Sequence, residues 1–424
     1  MKLGDFDLSS PDTFSAGVPH DYFAFLRREA PISWQPTSGS NGFWSFTKYS
    51  DIEYIEKHPQ LFSSKVYLGP STVESPSQHL IEDHMLIMSD KPRHSFLRNM
   101  IVRSFSHKAI STLKQQILDL SCASIDAVIE RGECDFVDVA ACMPVEIISE
   151  IMALPPADRP ELARWANQVF GAEDPDVSTH EKSTIAGQQM FAYAVKLGVS
   201  RRAHPGSDMF SSIAIAKDSE GNMLDDIDLG AFFYILATAG NETTRTQILD
   251  GLLTLIQNPQ AAADLRQDPA LLVNAVEEML RFTSPVHGFA RKVLQATEIR
   301  GQTFKAGDKV LMWYCSGNRD EEVFTDGNVF DIRRQNARQH LAFGARGSIH
   351  QCLGMLLARI ELNVFFEHLL PRLPDIELNG PVRRLRSALT NGIKHMPVRF
   401  TPGKPIDPNH MLDLSKYSLH LRQN

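Results

Sequence analysis

Cys352 ends a glycine-bearing run, Phe343-Gly344-Ala345-Arg346-Gly347-Ser348-Ile349-His350-Gln351-Cys352, and is followed by Leu353-Gly354 and a segment with apolar residues at helical spacing. A helix beginning there leaves its first N–H groups without intrahelical partners, and its dipole favours negative charge at that end. Both effects lower a thiol pKa. A thiolate so placed suits metal ligation or nucleophilic attack. The other cysteines, Cys122, Cys134, Cys142 and Cys315, form no C-x-x-C pair, and the total of five is odd. They read as small apolar packing residues rather than a zinc site or a disulfide framework.

Three further groups of residues could serve such a centre. Glu278 and Arg281 are three apart and share a helix face, so they can pair. The spacing is common by chance, but here Thr283-Ser284-Pro285-Val286 and then Arg291 follow it. Ala239-Gly240-Asn241-Glu242-Thr243-Thr244 interrupts an apolar helical stretch with Gly and two Thr, which predicts a kink or a widened turn. His94 and Arg98, four apart on one face, could hold an anion, and His340 stands three before Phe343.

The cysteine run resembles the haem-binding loop of the cytochromes P-450, Phe-Gly-x-Gly-x-His-x-Cys-x-Gly, through Phe343, Gly344, Gly347, His350, Cys352 and Gly354. Phe343 and Cys352 are nine positions apart (352 − 343), two more than in the family loop, whereas His350 and Gly354 keep their spacing to the cysteine. The 239–244 run resembles the family's oxygen-activation motif, and the elements follow in family order from about residue 20 to 402. The resemblance implies a mainly α fold with a minor β region. It is a single triangular domain over 1–402, with haem between a long central helix and the cysteine loop and helix. Residues 403–424, polar and Pro-containing, are expected to be an extension outside the core.

By the same resemblance Cys352 is the axial ligand of haem b, with Phe343 and Gly354 shaping its loop. Thr243 would hydrogen-bond O2 and Glu242 would belong to a proton relay. His94, Arg98, Arg291 and His340 would hold the two propionates. Glu278 and Arg281 would support the pocket, with Arg333 completing a buried network. The implied reaction is hydroxylation by one oxygen atom of O2. No G-x-G-x-x-G follows a strand, so electrons must come from separate proteins, and the resemblance to the soluble bacterial class implies a ferredoxin and a flavin reductase. Arg103, Lys108, Lys114 and Arg346 are candidates for a basic docking patch. A peroxide-driven peroxygenase or demethylase is the alternative, and a non-catalytic haem sensor is a further one. The Glu242-Thr243 pair favours the O2 route.

The expected pocket wall includes Ile235, Ala239, Thr243, Val286, His287 and Ile393, together with Ser63 to His84, the loop after Phe170 and Leu389 to Ile393. Its apolar character suits a small or medium hydrophobic substrate. His287 is the polar exception, able to bind a substrate hydroxyl. Gly132 to Phe136 and Asn318 to Phe324 resemble segments of bacterial monoterpene-alcohol hydroxylases. A terpenoid is therefore the first expectation, ahead of a steroid, fatty acid or aromatic compound.

These residues need a frame. Helices are predicted at Leu113–Arg131, Pro160–Phe170, from near Ala231 past Thr244, at Pro269–Phe282, and after Cys352 with Leu353, Leu357, Ile360 and Val364 on one face. Pro285 should stop the fourth. Asp90 is expected to cap a helix with Pro92 in its first turn. Ile32–Trp34 and Phe43–Phe46 read as a hairpin, and Phe289 to Tyr314 as short strands between turns. With 424 residues, 43% of them apolar, the chain can bury a large core. Its 43 basic and 51 acidic residues, net charge −8, speak against a nucleic-acid partner. No leader-like start and no spanning apolar run is seen, so no membrane association and a cytoplasmic location are expected.

Overall fold

The computed structural model describes residues 1–37, 40–70, 83–218, 220–409 and 412–419. It is mainly helical, and its longest helix, Asp226–Gln257, runs through the core. That helix begins five residues before the expected Ala231. The Asp225 carboxylate accepts from the N–H of Asp228 (2.8 Å) and caps a polar first turn that hydrophobic periodicity alone does not reveal. The helix also runs unbroken through Ala239–Thr244, where a kink was predicted. The hydroxyls of Thr238 and Thr243 donate back to the carbonyls of Tyr234 and Ala239 (both 2.7 Å) without displacing the backbone ladder.

The other predicted helices occur as Lys114–Ile129, Arg159–Phe170, Leu272–Thr283 and Met355–Arg372. Together with Phe136–Ile151 they close one core around Ile147, Ile248, Leu252, Met279 and Phe365. Helix Arg93–Ile101 has no side-chain cap. The Asp90 carboxylate instead receives the Ser64 N–H (2.9 Å) and the Ser63 hydroxyl.

Ile32–Thr37 and Ser40–Phe46 form the expected antiparallel pair, whose connecting residues 38–39 lie outside the described residues. Ser40–Phe46 then lies parallel to Lys309–Trp313, which pairs with Gly288–Val293, and Phe62–Ser63 completes the five-stranded sheet. Leu272–Thr283 stops before Pro285, as its ring requires. Ser284 there adopts a left-handed φ of 51°, held by a bond from Asn318 Nδ2 to its Oγ (2.8 Å). That turn throws Pro285 and Val286 across the interior. No helix among the described residues is long and apolar enough to cross a membrane.

The C-terminal tail departs from expectation. Leu414, Tyr417 and Leu419 are buried against the main core, and the Tyr417 hydroxyl donates to Glu146, which also holds Arg159 (2.7 Å). Three apolar residues scattered through a polar run carry no periodic signal. Tyr417→Ala is expected to cost about 3 kcal/mol in denaturant unfolding, as for other buried aromatic truncations, while exposed Lys416→Ala stays within about 0.5 kcal/mol. Equal effects would place the tail outside the core.

Candidate active site

The Cys352 loop is held by its own backbone. The Cys352 N–H donates to the Phe343 carbonyl (2.9 Å), and inner turns run from Ser348 N to Ala345 O (3.0 Å) and from Gln351 N to Ser348 O (3.2 Å). Gly344 and Gly347 take φ of 78° and 81°, values that a side chain disfavours. The two added residues are thus taken up by successive turns, and the cysteine still reaches the start of Met355–Arg372. The N–H groups of Gly354 and Met355 and the charges of Arg98 and Arg359 favour the thiolate, but burial outweighs them and pushes the thiol up. The helix-start argument has the right sign but is the smaller effect. Cys352 is exposed because it opens on an internal cavity, whereas Cys122 and Cys134 are half-buried and Cys142 and Cys315 are buried.

Beneath the loop lies a buttress. Glu277 receives Arg359 (2.6 and 2.9 Å) and His340 Nε2 (3.2 Å). Burial raises the Glu277 carboxyl, but these hydrogen bonds and charges win and hold it at about 2. Arg359 also covers the Phe343 ring at 4.8 Å. His340 is therefore not an anion ligand of the cavity. Its Nδ1 accepts the Ala342 N–H (3.1 Å), so both ring nitrogens are engaged under Phe343.

The cavity's polar rim is built by His94, Arg98, Arg291 and His350. The rings of His94 and His350 lie 4.2 Å apart, and each Nε2 is buried with no hydrogen-bond partner among the described residues. Burial, with Arg98 next, lowers His94 to about 4, and burial with Arg291 lowers His350 well below its usual value. Two orphaned imidazole nitrogens beside two guanidinium groups are what a pair of buried carboxylates would satisfy. His350, missed as an anion ligand, was marked by standing two before the cysteine.

On the opposite wall stand Ile235, Ala239 and Thr243 of the central helix, with Val286 alongside. Glu242 faces away from them. It is buried, paired with Arg245 and accepts from Thr246 (3.2 Å), while Arg245 donates to Asn167 (2.7 Å). Burial raises its carboxyl against that ion pair. Two acids do border the cavity, Glu56 and, on the cysteine helix, Glu361. Thr244 donates to Glu361 Oε2 (3.4 Å), Oε1 has no partner among the described residues, and burial pushes it up to about 8. Nothing in its apolar-faced helix singled it out beforehand.

Two expected wall residues are elsewhere. His287 stacks on Phe14 at 4.4 Å and directs Nδ1 to the Ala388 carbonyl (3.2 Å), and Ile393 is in the main core. His287 immediately precedes strand Gly288–Val293 and Ile393 opens strand Ile393–His395, and in such extended backbone successive side chains point to opposite sides, so one step decides which faces the pocket. Of Ser63–His84, residues 71–82 lie outside the described residues.

The supporting network also differs by one residue. Arg281 meets Glu278 through two bonds of 2.7 Å, both fully buried, and its remaining nitrogen reaches the carbonyls of Asn318 (2.7 Å) and Gly327 (2.8 Å). The third member is Arg334, not Arg333. Arg334 donates to Glu278 (3.1 Å) and to the Thr325 carbonyl (2.7 Å). Arg333 points outward to Asp264 (2.6 Å), since the turn after Asp331 sends neighbouring side chains to opposite sides.

The Cytochrome P450 family model matches residues 178–374. Methyl-branched lipid omega-hydroxylase of Mycobacterium tuberculosis is 36% identical over 416 residues, 95% of this chain and 96% of that protein. The chain belongs to the cytochrome P450 family. Linalool 8-monooxygenase of Pseudomonas putida is also 36% identical, over 93% of this chain and 99% of its own length. A Mycobacterium marinum cytochrome P450 in complex with pseudoionone matches with a TM-score of 0.87 at 32% identity, covering 94% of this cytochrome and 99% of that chain. This cytochrome P450 is a haem-thiolate monooxygenase that uses haem b and O2. The orphaned nitrogens of His94 and His350 and the cavity-facing sulfur of Cys352 fit that group. Arg334→Ala leaves Glu278 undercompensated and is expected to cost about 3–5 kcal/mol with loss of haem retention. Arg333→Ala is expected to stay within about 1 kcal/mol. Denaturant titration with haem absorbance checks both.

Proposed function

We propose that this cytochrome P450 hydroxylates a terpenoid, with electrons from a ferredoxin and a flavin reductase in the cytoplasm. The observation that carries the reading is one cavity bordered at once by the Cys352 sulfur, the Thr243 hydroxyl and an apolar wall. Leu86, Ile87, Ile148, Ile235 and Val286 supply that wall, with no charged side chain among them. Such a surface selects shape and apolar bulk rather than a polar head group. The relatives' named substrates, linalool, methyl-branched lipids and a steroid, are in keeping with that preference.

Bound haem supplies the reductive activation of O2. The chain's part is to hold, exclude and protonate. Cys352 would hold the haem iron through its sulfur, and Phe343 and Gly354 line its side of the cavity. His94, Arg98, Arg291 and His350 would hold the two haem propionates. Thr243 offers its hydroxyl at the distal wall. Glu361, with a pKa of about 8, holds a proton at neutral pH within reach of Thr244. Glu242 forms a second station behind the helix, where Arg245 keeps it charged or releases it. We assign these two acids to proton delivery, which would let protons enter without opening the apolar wall to bulk water. Arg103, Lys108, Lys114 and Arg346 are all exposed and are the basic groups we assign to ferredoxin docking.

Titration with a linalool-type monoterpene alcohol is expected to shift the haem towards high spin, and an unbranched fatty acid to do so less. In the reconstituted system, Thr243→Ala is expected to lower product formed per NADH about tenfold or more while NADH consumption continues. Full coupling in that variant would remove Thr243 from the role, and no spin shift with any monoterpene alcohol would remove the substrate class.

A further inference from the structure

Glu56 is a buried acid that the family resemblance does not use. It lies on helix Tyr49–Lys57, far in sequence from the cysteine loop, yet its side chain borders the same cavity as Cys352. It is 5% exposed and stands beside an apolar cluster that includes Ile52, Ile55, Met312 and Leu341. Both of its oxygens are engaged. Oε1 accepts the hydroxyl of Tyr314, and Oε2 accepts the backbone N–H of Ala345. Oε1 also faces Arg291 Nη2 at 4.0 Å. At Gly344 a Cβ would stand only 3.2 Å from Oε2, so the glycine lets the loop press onto the carboxylate.

Gly344 and Ala345 begin the stretch in which the loop is two residues longer than the family pattern. The Ala345 N–H is buried and takes no backbone carbonyl, and a buried N–H needs some acceptor. We propose that Glu56 is a positioning residue for the cysteine loop. Its carboxylate, anchored by Tyr314, clamps the added turn at Ala345 and so fixes the path along which the chain approaches Cys352. The proposal rests on Cys352 being the haem ligand.

A carboxylate suits this place better than an amide or a hydroxyl. Two donors, an O–H and an N–H, converge on it from opposite sides, and it can accept both at once. Arg291 opposite offsets its charge. Glu56 also shares Arg291 with the anion site on the rim. Its negative charge therefore disfavours added electron density at the iron, an influence that falls only inversely with distance.

The test uses the purified haem-loaded protein and the variants Glu56→Ala, Glu56→Gln and Tyr314→Phe. Three readouts are taken: the reduced carbon monoxide spectrum, amide hydrogen exchange across residues 343–348, and the reduction potential. Glu56→Ala is expected to convert a several-fold larger share of the thiolate-type band to the shorter-wavelength form and to speed exchange at Ala345. Glu56→Gln, which keeps one acceptor for the Ala345 N–H, is expected to restore the band and to shift the potential to more positive values. Tyr314→Phe should fall between them in exchange. A Glu56→Ala protein with the wild-type band and wild-type exchange would overturn the proposal. If that variant does not accumulate, Tyr314→Phe carries the same decision: faster exchange at Ala345 at unchanged melting temperature supports the clamp, and wild-type exchange overturns it. A wild-type protein with no thiolate-type band would overturn the ligand assignment instead.

Discussion

A sulfur anion facing an apolar cavity loses the solvation that water would give it, and the rest of the site is arranged around that cost. The N–H groups of Gly354 and Met355 and the charges of Arg98 and Arg359 reduce it without cancelling it, since burial still holds the free thiol protonated. The remaining compensation must come from a cation bound to the sulfur, because a coordinating metal deprotonates a thiol outright. The polar rim repeats the argument with opposite sign. His94 and His350 are kept neutral by burial beside two guanidinium groups, and arriving carboxylates would supply the missing partners. Neither half of the cavity is electrostatically complete without the group between them.

That dependence explains the rigid frame. Glu278, Arg281 and Arg334 are buried charges whose lone pairs and protons nearly all find partners, the condition under which such a network holds a loop in place rather than merely costing stability. Glu277 does the same beneath Phe343 through Arg359 and His340. The cysteine helix is tied to the second of these supports directly, through Arg359 to Glu277, and Cys352 stands just before its first turn.

Much of this was readable from the chain because it depends on local spacing. The cysteine loop, the helix after it, the Glu278–Arg281 pair and the stop at Pro285 are each set within a few residues. The misplaced side chains share a different cause. Arg333 and Arg334 are adjacent, and the turn after Asp331 decides which one enters the core. His287 stands just before one strand and Ile393 at the start of another, in extended backbone where one step exchanges inside for outside. His340 has the right residue type and neighbourhood, but Glu277 claims it from a helix more than sixty residues away in sequence. Glu361 and the Tyr417 contact with Glu146 are tertiary in the same sense. Their partners are brought close only when the helices pack, and hydrophobic periodicity does not encode which polar residue meets which.

The central claim is that the lengthened loop presents Cys352 as a thiolate to haem iron. The most direct measurement is the absorption spectrum of the reduced protein under carbon monoxide, taken for the wild type and Cys352→Ala. The account predicts a strongly red-shifted Soret band in the wild type and its loss in the variant. A wild-type band at the position given by a neutral thiol or an imidazole ligand, or one that survives the substitution, would contradict it.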